Sequence, residues 1–421
     1  MTGGPPGPAG VGPGDAERVS RMALALLVEP GSYELGCLIR AAGAEAALRR
    51  VLAGTVSAHL AGAAATRLAA HNLAAHSLAS VLTVARALAE PALALAERLG
   101  ARIVTPADAE WPTQVDDLAL ISGQGRHPID RDVDPPICLW VRGAAPVAEV
   151  ARRSVAVIGA RAATGYGTHV ATDLAYGLAD QGWAVVSGGA FGIDAAAHRG
   201  ALACGGPTVA VLACGIDRPY PSAHTSLFEQ IAEEGLLISE WPPGSAPHRQ
   251  RFLIRNRVIA AMTAGTVMVE AAARSGARQT LGRARQLGRP VMVVPGPVLS
   301  AMSVGCHIEL RTPGTQVVTV PAEVIEEVGR IGELAPVPTG ATRPHDALDP
   351  MAARLLDAVL PRRQRTAEEV AAAAGVSGQE ARRGLPLLVA AGFVVAVGDG
   401  YRLAPARPLD GTRPPPQRLD R

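Results

Sequence analysis

Lysine is missing from this 421-residue chain, so all 40 basic side chains are arginine. The absence excludes a Schiff-base lysine and a P-loop lysine, and with them most pyridoxal-dependent enzymes and Walker-type ATPases. Cysteine is scarce, and none of the five cysteines stands in a C-x-x-C pair. This spacing argues against a disulfide framework and against a zinc site. We expect no metal and no cofactor.

Long apolar runs are absent as well. The first residues are rich in Gly and Pro and lack the apolar segment of an export signal. Charged residues and histidines interrupt the Ala-rich stretch 51–98, so no uncharged run reaches the roughly 18 residues of a membrane span. These absences predict a cytoplasmic protein that does not bind a membrane.

The length and the apolar content of 48% predict several globular domains. From composition and periodicity we predict a disordered N-terminus at 1–17, a helical domain at 18–100, an α/β domain at 101–329, a linker at 330–345, a compact domain at 346–405 and a disordered tail at 406–421. Within 346–405, a helix, a helix-turn-helix and a hairpin with a Gly-Asp-Gly tip resemble a winged helix.

Six short apolar runs alternate with helix-length segments between residues 154 and 320, Val155–Ile158 and Leu236–Ser239 among them. Continuous apolar runs are typical of strands that are covered on both faces. The pattern therefore predicts the α/β class, with a doubly wound, mostly parallel sheet. Such sheets bind ligands at the carboxyl edge of their strands.

Two glycine-rich turns follow predicted strands. The first contains Gly159 and Arg161, and it is not a dinucleotide fingerprint because arginine stands where the second glycine belongs. A guanidinium group there suits a phosphodiester, although a tight turn with a surface arginine explains the pattern equally well. The second turn precedes Asp194 and His198, which are interpreted as an acid/base pair or, more simply, as a helix cap and a structural hydrogen bond.

The segment from Trp241 to Arg289 contains nine arginines and a single acid, Glu270, for a net charge of +8. A concentrated basic block is typical of a surface that binds a polyanion. Phe252 stands among these arginines. Proteins bind single-stranded nucleic acids with cations that contact phosphates and aromatic rings that stack on bases. The alternative is a solvated basic face with Phe252 in the core. Glu270 is expected to orient one of the arginines.

Taken in order, these motifs resemble the DNA-processing protein A family, also called Smf. The motifs are V-I-G-A-R-x-x-T-x-Y-G at 157–167, S-G-x-x-x-G-I-D-x-x-A-H at 187–198, F-x-x-R-N-R at 252–257 and V-P-G at 294–296. The resemblance implies a sterile-alpha-motif-like helical domain, an extended Rossmann-like core and a winged-helix C-terminus.

The resemblance also implies a non-enzymatic protein that binds single-stranded DNA, forms a homodimer and loads the recombinase RecA during transformation or homologous recombination. The residues implied to bind DNA are Arg161, Gly188, Gly189, Gly192, Arg249, Phe252, Arg255, Asn256, Arg257, Ser275, Gly276 and Arg278. Phe191 stands where many relatives carry an arginine, so one cation is missing from that loop.

Two other functions remain as alternatives. The core also resembles phosphoribohydrolases that release bases from nucleotides, but the turn after Glu270 lacks their Gly-Gly pair and their later Glu. A regulator or scaffold that acts through residues 346–405 is the other alternative, although this domain carries seven acids and seven arginines. No motif of a metalloprotease, a serine hydrolase or a nuclease is present in the sequence.

Overall fold

The computed structural model describes residues 13–71, 80–124, 128–329 and 348–404. The described chain divides into two compact units, 13–329 and 348–404. The predicted linker, the predicted tail and residues 1–12 of the predicted disordered N-terminus lie outside the described residues. Residues 13–17 instead form the start of the first helix, with Pro13 in its first turn and Asp15 close to the positive helix end.

Five helices precede the sheet: α1 (Pro13–Leu27), α2 (Tyr33–Ala42), α3 (Ala44–Leu52), α4 (Ala58–Ala70) and α5 (Val81–Arg98). Their apolar faces bury Leu24, Leu48 and Leu88 in a common core. Pro30-Gly31 and Gly43 separate the first three helices, whereas α5 continues through Pro91. Burial of its residues on both sides of Pro91 offsets the hydrogen bond that the proline removes.

The first unit is built on a nine-stranded sheet in the order β1-β2-β6-β5-β4-β3-β7-β8-β9. The strands are β1 (Ala101–Val104), β2 (Leu139–Arg142), β3 (Ser154–Ile158), β4 (Ala184–Ser187), β5 (Thr208–Leu212), β6 (Leu236–Ser239), β7 (Gly265–Met268), β8 (Val291–Val293) and β9 (Thr315–Val317). Strands β3 to β9 pair in parallel, and β1 and β2 add an antiparallel edge. The predicted α/β class and mostly parallel sheet are confirmed.

Helices cover both faces of this sheet, which is why the central strands are buried along their whole length. They are α7 (Val147–Arg152), α8 (Gly165–Asp180), α9 (Ile193–Ala203), α10 (Thr225–Glu234), α11 (Arg249–Met262), α12 (Gly276–Gln286), α13 (Val304–Glu309) and α14 (Pro321–Val328). The short α6 (Pro128–Arg131) lies between β1 and β2 in the chain. The strand order reverses between β3 and β7, so the loops after these two strands diverge and leave a crevice at the carboxyl edge.

The second unit contains three helices and a small antiparallel sheet. Its elements are α15 (Pro350–Ala358), β10 (Arg365–Thr366), α16 (Ala367–Ala374), α17 (Gly378–Ala390), β11 (Val394–Val397) and β12 (Gly400–Leu403). Capping boxes begin α16 and α17, at Thr366 and Ser377. Among all described residues, no helix is long and apolar enough to cross a membrane.

Candidate functional site

A groove of about 730 Å³ lies at the crevice between the loops after β3 and β7 and the first turns of α11 and α12. It is the place that the doubly wound topology favours for a ligand. Seven of the twelve predicted DNA-binding residues line this groove: Arg161, Arg249, Phe252, Arg255, Asn256, Ser275 and Gly276. The other five do not line it.

The loop after β3 carries Arg161, whose side chain is exposed. Its guanidinium carbon lies 5.0 Å from the centre of the Phe252 ring, which is a cation–π arrangement. The same loop ends at Thr164, whose hydroxyl accepts a hydrogen bond from Gly167 N–H at the start of α8. Arg161 therefore extends into the groove from a backbone that is held at both ends.

Glu270, at the end of β7, holds this loop and orients no arginine, contrary to expectation. Its carboxylate accepts hydrogen bonds from the Thr164 backbone N–H at 2.9 Å and from the Thr164 hydroxyl at 2.7 Å. A side chain at Gly167 would lie 2.1 Å from the Glu270 carboxylate, so glycine is needed for this close approach. The carboxylate is buried and serves as an anchor for the loop.

The glycines of the loop after β4 shape the groove from below and are not among its lining residues. Gly188 lies directly against Arg255, because a Cβ atom at Gly188 would be 2.1 Å from Nη1 of that arginine. Gly189 and Gly192 have φ angles of +68° and +77°, which favour glycine. The buried Asp194 carboxylate accepts hydrogen bonds from the Gly188 and Ala190 N–H groups, which are therefore already occupied.

Asp194 and His198 do not form an acid/base pair in the structure. His198 is fully buried, and its Nδ1 lies 2.8 Å from the hydroxyl of Thr208 on β5. Burial lowers the pKa of His198 to about 3, with further lowering by the positive charge of Arg255. The interpretation as a structural histidine is thus the one that the geometry supports.

Helix α11 presents different residues to the groove and to the N-terminal helices. Arg249, Phe252 and Asn256 face the groove, as expected for positions three and four residues apart. Arg251 faces the opposite way and donates to Glu29 at 2.6 Å and to the Ala246 carbonyl at 2.7 Å. The helix is therefore attached to the loop after α1 on one side and open to the groove on the other.

Arg255 lies at the floor of the groove and is 4% exposed. Its guanidinium donates to the carbonyl of Val211 and to Oδ1 of Asn256. Burial lowers its pKa to about 10, while the charge of Asp194 acts in the opposite direction. The group keeps its positive charge at neutral pH and contributes a buried cation beneath the exposed ones.

The nine-arginine block does not form one basic surface, and this part of the sequence interpretation is wrong. Six of the nine arginines pair with carboxylates from other parts of the fold. These pairs are Arg251–Glu29, Arg257–Glu240, Arg278–Glu309, Arg283–Asp130, Arg285–Glu309 and Arg289–Asp117. The block contributes Arg249, Arg255 and Arg274 to the groove, and the described residues contain no ion-pair partner for any of these three.

Arg257 and Arg278, both implied to bind DNA, are among the paired residues. Arg257 is 1% exposed and donates to Glu240 at 2.7 Å, so its guanidinium has no access to the groove. Arg278 donates to Glu309 at 2.8 Å and to the carbonyl of Ala273 at 2.6 Å. It therefore holds the loop that carries Arg274 to the groove.

Tyr220 and Arg274 also line the groove with exposed side chains, although neither is among the residues implied to bind DNA. The Tyr220 ring lies 5.6 Å from that of Phe252 in an edge-to-face arrangement. Arg274 is exposed and lines the groove directly before Ser275, which caps α12. The position of Arg274 two residues before Gly276 is the sequence signal that could have identified it as a groove residue.

The sequence profile of the family described as DNA recombination-mediator protein A matches residues 102–329. The chain belongs to this family. It is 43% identical over 385 residues to DNA processing protein DprA of Mycobacterium tuberculosis, covering 90% of this chain and 92% of the relative. The resemblance found in the motifs is thus confirmed.

Two further matches cover a smaller part of this chain. DNA processing protein DprA of Streptococcus pneumoniae is 38% identical over 194 residues, which is 46% of this chain and 67% of the relative. The X-ray structure of DNA processing protein A from Streptococcus pneumoniae superposes with a TM-score of 0.55 at 25% identity, covering 75% of this chain and 98% of that one.

The described residues contain no group of three His, Cys, Asp or Glu side chains suited to a metal ion.

Proposed function

We propose that the groove binds single-stranded DNA. The observation that carries this proposal is a set of three exposed guanidinium groups that form no ion pair among the described residues and line the groove with the Phe252 ring: Arg161, Arg249 and Arg274. Arg255 adds a buried positive charge beneath them, next to the carboxylate of Asp194. Guanidinium groups bind phosphates in forked geometry, and an aromatic ring stacks on a base. The ring favours an unpaired strand, because the bases of a duplex already stack on one another.

Within this proposal the implied DNA-binding residues divide by role. Arg161, Arg249 and Arg274 contact phosphates, Phe252 stacks on a base, and Arg255 with Asn256 forms the floor. Ser275 and Gly276 form the start of α12, and the positive end of this helix favours an anion. The remaining five shape or hold the site without contacting the strand: Gly188, Gly189, Gly192, Arg257 and Arg278.

We further propose, on the basis of family membership, that the protein acts without catalysis in the cytoplasm. In this role it forms a homodimer that protects single strands in transformation or recombination and loads the recombinase RecA. A base-releasing enzyme is disfavoured because Glu270 is buried and both its carboxylate oxygens accept hydrogen bonds from Thr164. Release of free base from nucleoside monophosphates would revive the enzymatic alternative.

The N-terminal helices are proposed to be the sterile-alpha-motif-like domain and the second unit a winged helix. The order helix, strand, helix, helix and two-stranded wing supports the latter assignment. A regulator that reads duplex DNA through α17 is the weaker alternative, because Arg382 on this helix pairs with Glu368 at 2.9 Å. Loss of duplex-specific binding on deletion of 346–421 would reverse this ranking.

Fluorescence anisotropy with labelled single-stranded and double-stranded oligonucleotides tests the proposal. We expect Arg161→Ala and Arg249→Ala each to weaken single-strand binding by about 1–3 kcal/mol, the range for a charge-assisted contact. Each lost phosphate contact is also expected to lower the slope of log K against log salt by about 0.7. Arg311→Ala removes an exposed arginine outside the groove and is the matched control. Absence of single-strand binding at low salt would overturn the proposal.

A further inference from the structure

Two aromatic rings stand largely uncovered beside the groove. The side chain of Tyr220, itself a groove residue, is 47% exposed, and that of Phe191 is 48% exposed. Phe191 follows Ala190, which also lines the groove. Rings of this size are more often buried, so the exposure of both beside the groove calls for an explanation.

Neither ring is loosely attached. Phe191 packs edge-to-face on His224, with ring centres 4.6 Å apart. His224 is itself buried, and its Nδ1 donates to the Gly189 carbonyl at 3.0 Å. Tyr220 packs in the same manner on Phe252, with ring centres 5.6 Å apart. Both rings are thus supported from one side, while the other side is open to solvent.

The loop of Phe191 abuts the loop of Arg161. The N–H of Ile193 donates to the carbonyl of Ala160 at 3.2 Å. A Cβ atom at Gly192 would lie 2.3 Å from the same carbonyl, so the two loops are in direct backbone contact. A strand whose phosphate contacts Arg161 therefore passes close to the Phe191 loop.

We infer that Phe191 and Tyr220 form a second stacking subsite for unpaired nucleobases, beyond the one at Phe252. This inference rests on the proposed function, because the phosphates of the same strand must be held by the arginines. The ligand that fits is a flat, weakly polar ring, since a supported aromatic face stacks on any base without reading its edge. The arginines of the groove recognise only the charge of the nucleic-acid backbone. The second subsite lengthens the bound part of the strand and makes the affinity depend on the presence of bases.

Binding of two oligonucleotides of equal length and charge tests the inference: oligothymidine and a fully abasic strand. We expect Phe191→Ala to weaken oligothymidine binding about 5- to 150-fold, which corresponds to the range measured for one stacked base. Phe191→Tyr is expected to retain binding. The affinity for the abasic strand and the salt slope are expected to be unchanged in both variants, because no cation is removed.

Tyr176→Ala is the matched control, because Tyr176 on α8 is also 48% exposed and does not line the groove. An equal loss on the abasic strand, or no loss on oligothymidine, would overturn the second subsite while leaving the groove proposal intact. Failure of the wild-type protein to bind either strand would overturn both. Tyr220→Ala is expected to show the same base-dependent loss as Phe191→Ala.

Discussion

Two sets of arginines from one stretch of sequence behave differently. Arg249, Arg255 and Arg274 reach the groove, whereas six others from the same block are held by carboxylates. The carboxylates come from the loop after α1, the residue after β6, α13 and the segments before β2, all outside the block. A local count of charge therefore overstates the basic surface, because it omits acids that only folding brings near.

The two sets also differ in what their removal costs. A cation that faces solvent loses a ligand contact when it is truncated, and the fold is little affected. A buried cation with a buried partner leaves an uncompensated charge behind. Stability should therefore depend on Arg257, and DNA binding on the exposed Arg249 and Arg274, whereas Arg255 is buried although it lies at the groove.

The largest effect is expected at Arg257. Arg257→Ala leaves the Glu240 carboxylate buried without its partner and should lower the free energy of unfolding by about 3–5 kcal/mol. Urea denaturation measures this loss. The double variant Arg257→Met with Glu240→Gln removes both charges and is expected to recover most of it. Wild-type stability of Arg257→Ala would show that the pair is not structural.

The next effect concerns pH. Because the pKa of His198 is about 3 in the folded protein and about 6.5 when unfolded, the unfolded chain binds one more proton between these values. The free energy of unfolding should then fall as pH falls, by about 1.4 kcal/mol per pH unit within that window. Urea midpoints measured from pH 6.5 to 4.5 should show this fall.

A comparison with His198→Gln isolates the contribution of this histidine. Burial raises the pKa of Asp194, which acts in the opposite direction in both proteins. The variant is expected to lose stability less steeply on acidification than the wild type. Parallel pH profiles for the two proteins would rule out His198 as the titrating group.

The smallest effect is expected at Arg278, which belongs to the paired set but holds a groove loop. Arg278→Ala should weaken single-strand binding by about 1 kcal/mol, because the Ala273 carbonyl loses its donor and Arg274 loses its fixed position. Arg285→Ala removes the other arginine on Glu309 and should leave binding unchanged. Equal losses in the two variants would mean that Glu309, and not the loop, determines the effect.

The strands and the groove loops were predictable because their signals are local. Continuous apolar runs such as Val155–Ile158 are buried on both faces, and the turns around Arg161 and Gly188 follow strands at one edge. The roles of Glu270 and Arg257 were not predictable from the sequence, because each depends on a partner outside its own element. The partner of Glu270 is Thr164, and the partner of Arg257 is Glu240. Pro91 shows the same limit, since packing on both sides of it outweighs its local preference.

The sequence by itself determined the α/β class, the family and the position of the groove at the carboxyl edge of the sheet. These follow from apolar periodicity and from motifs of adjacent residues. Only the tertiary structure decided which arginines are available to a ligand. Charge acts through space, so the pairing of Arg257 with Glu240 and the opening of Arg249 to the groove depend on the packed fold.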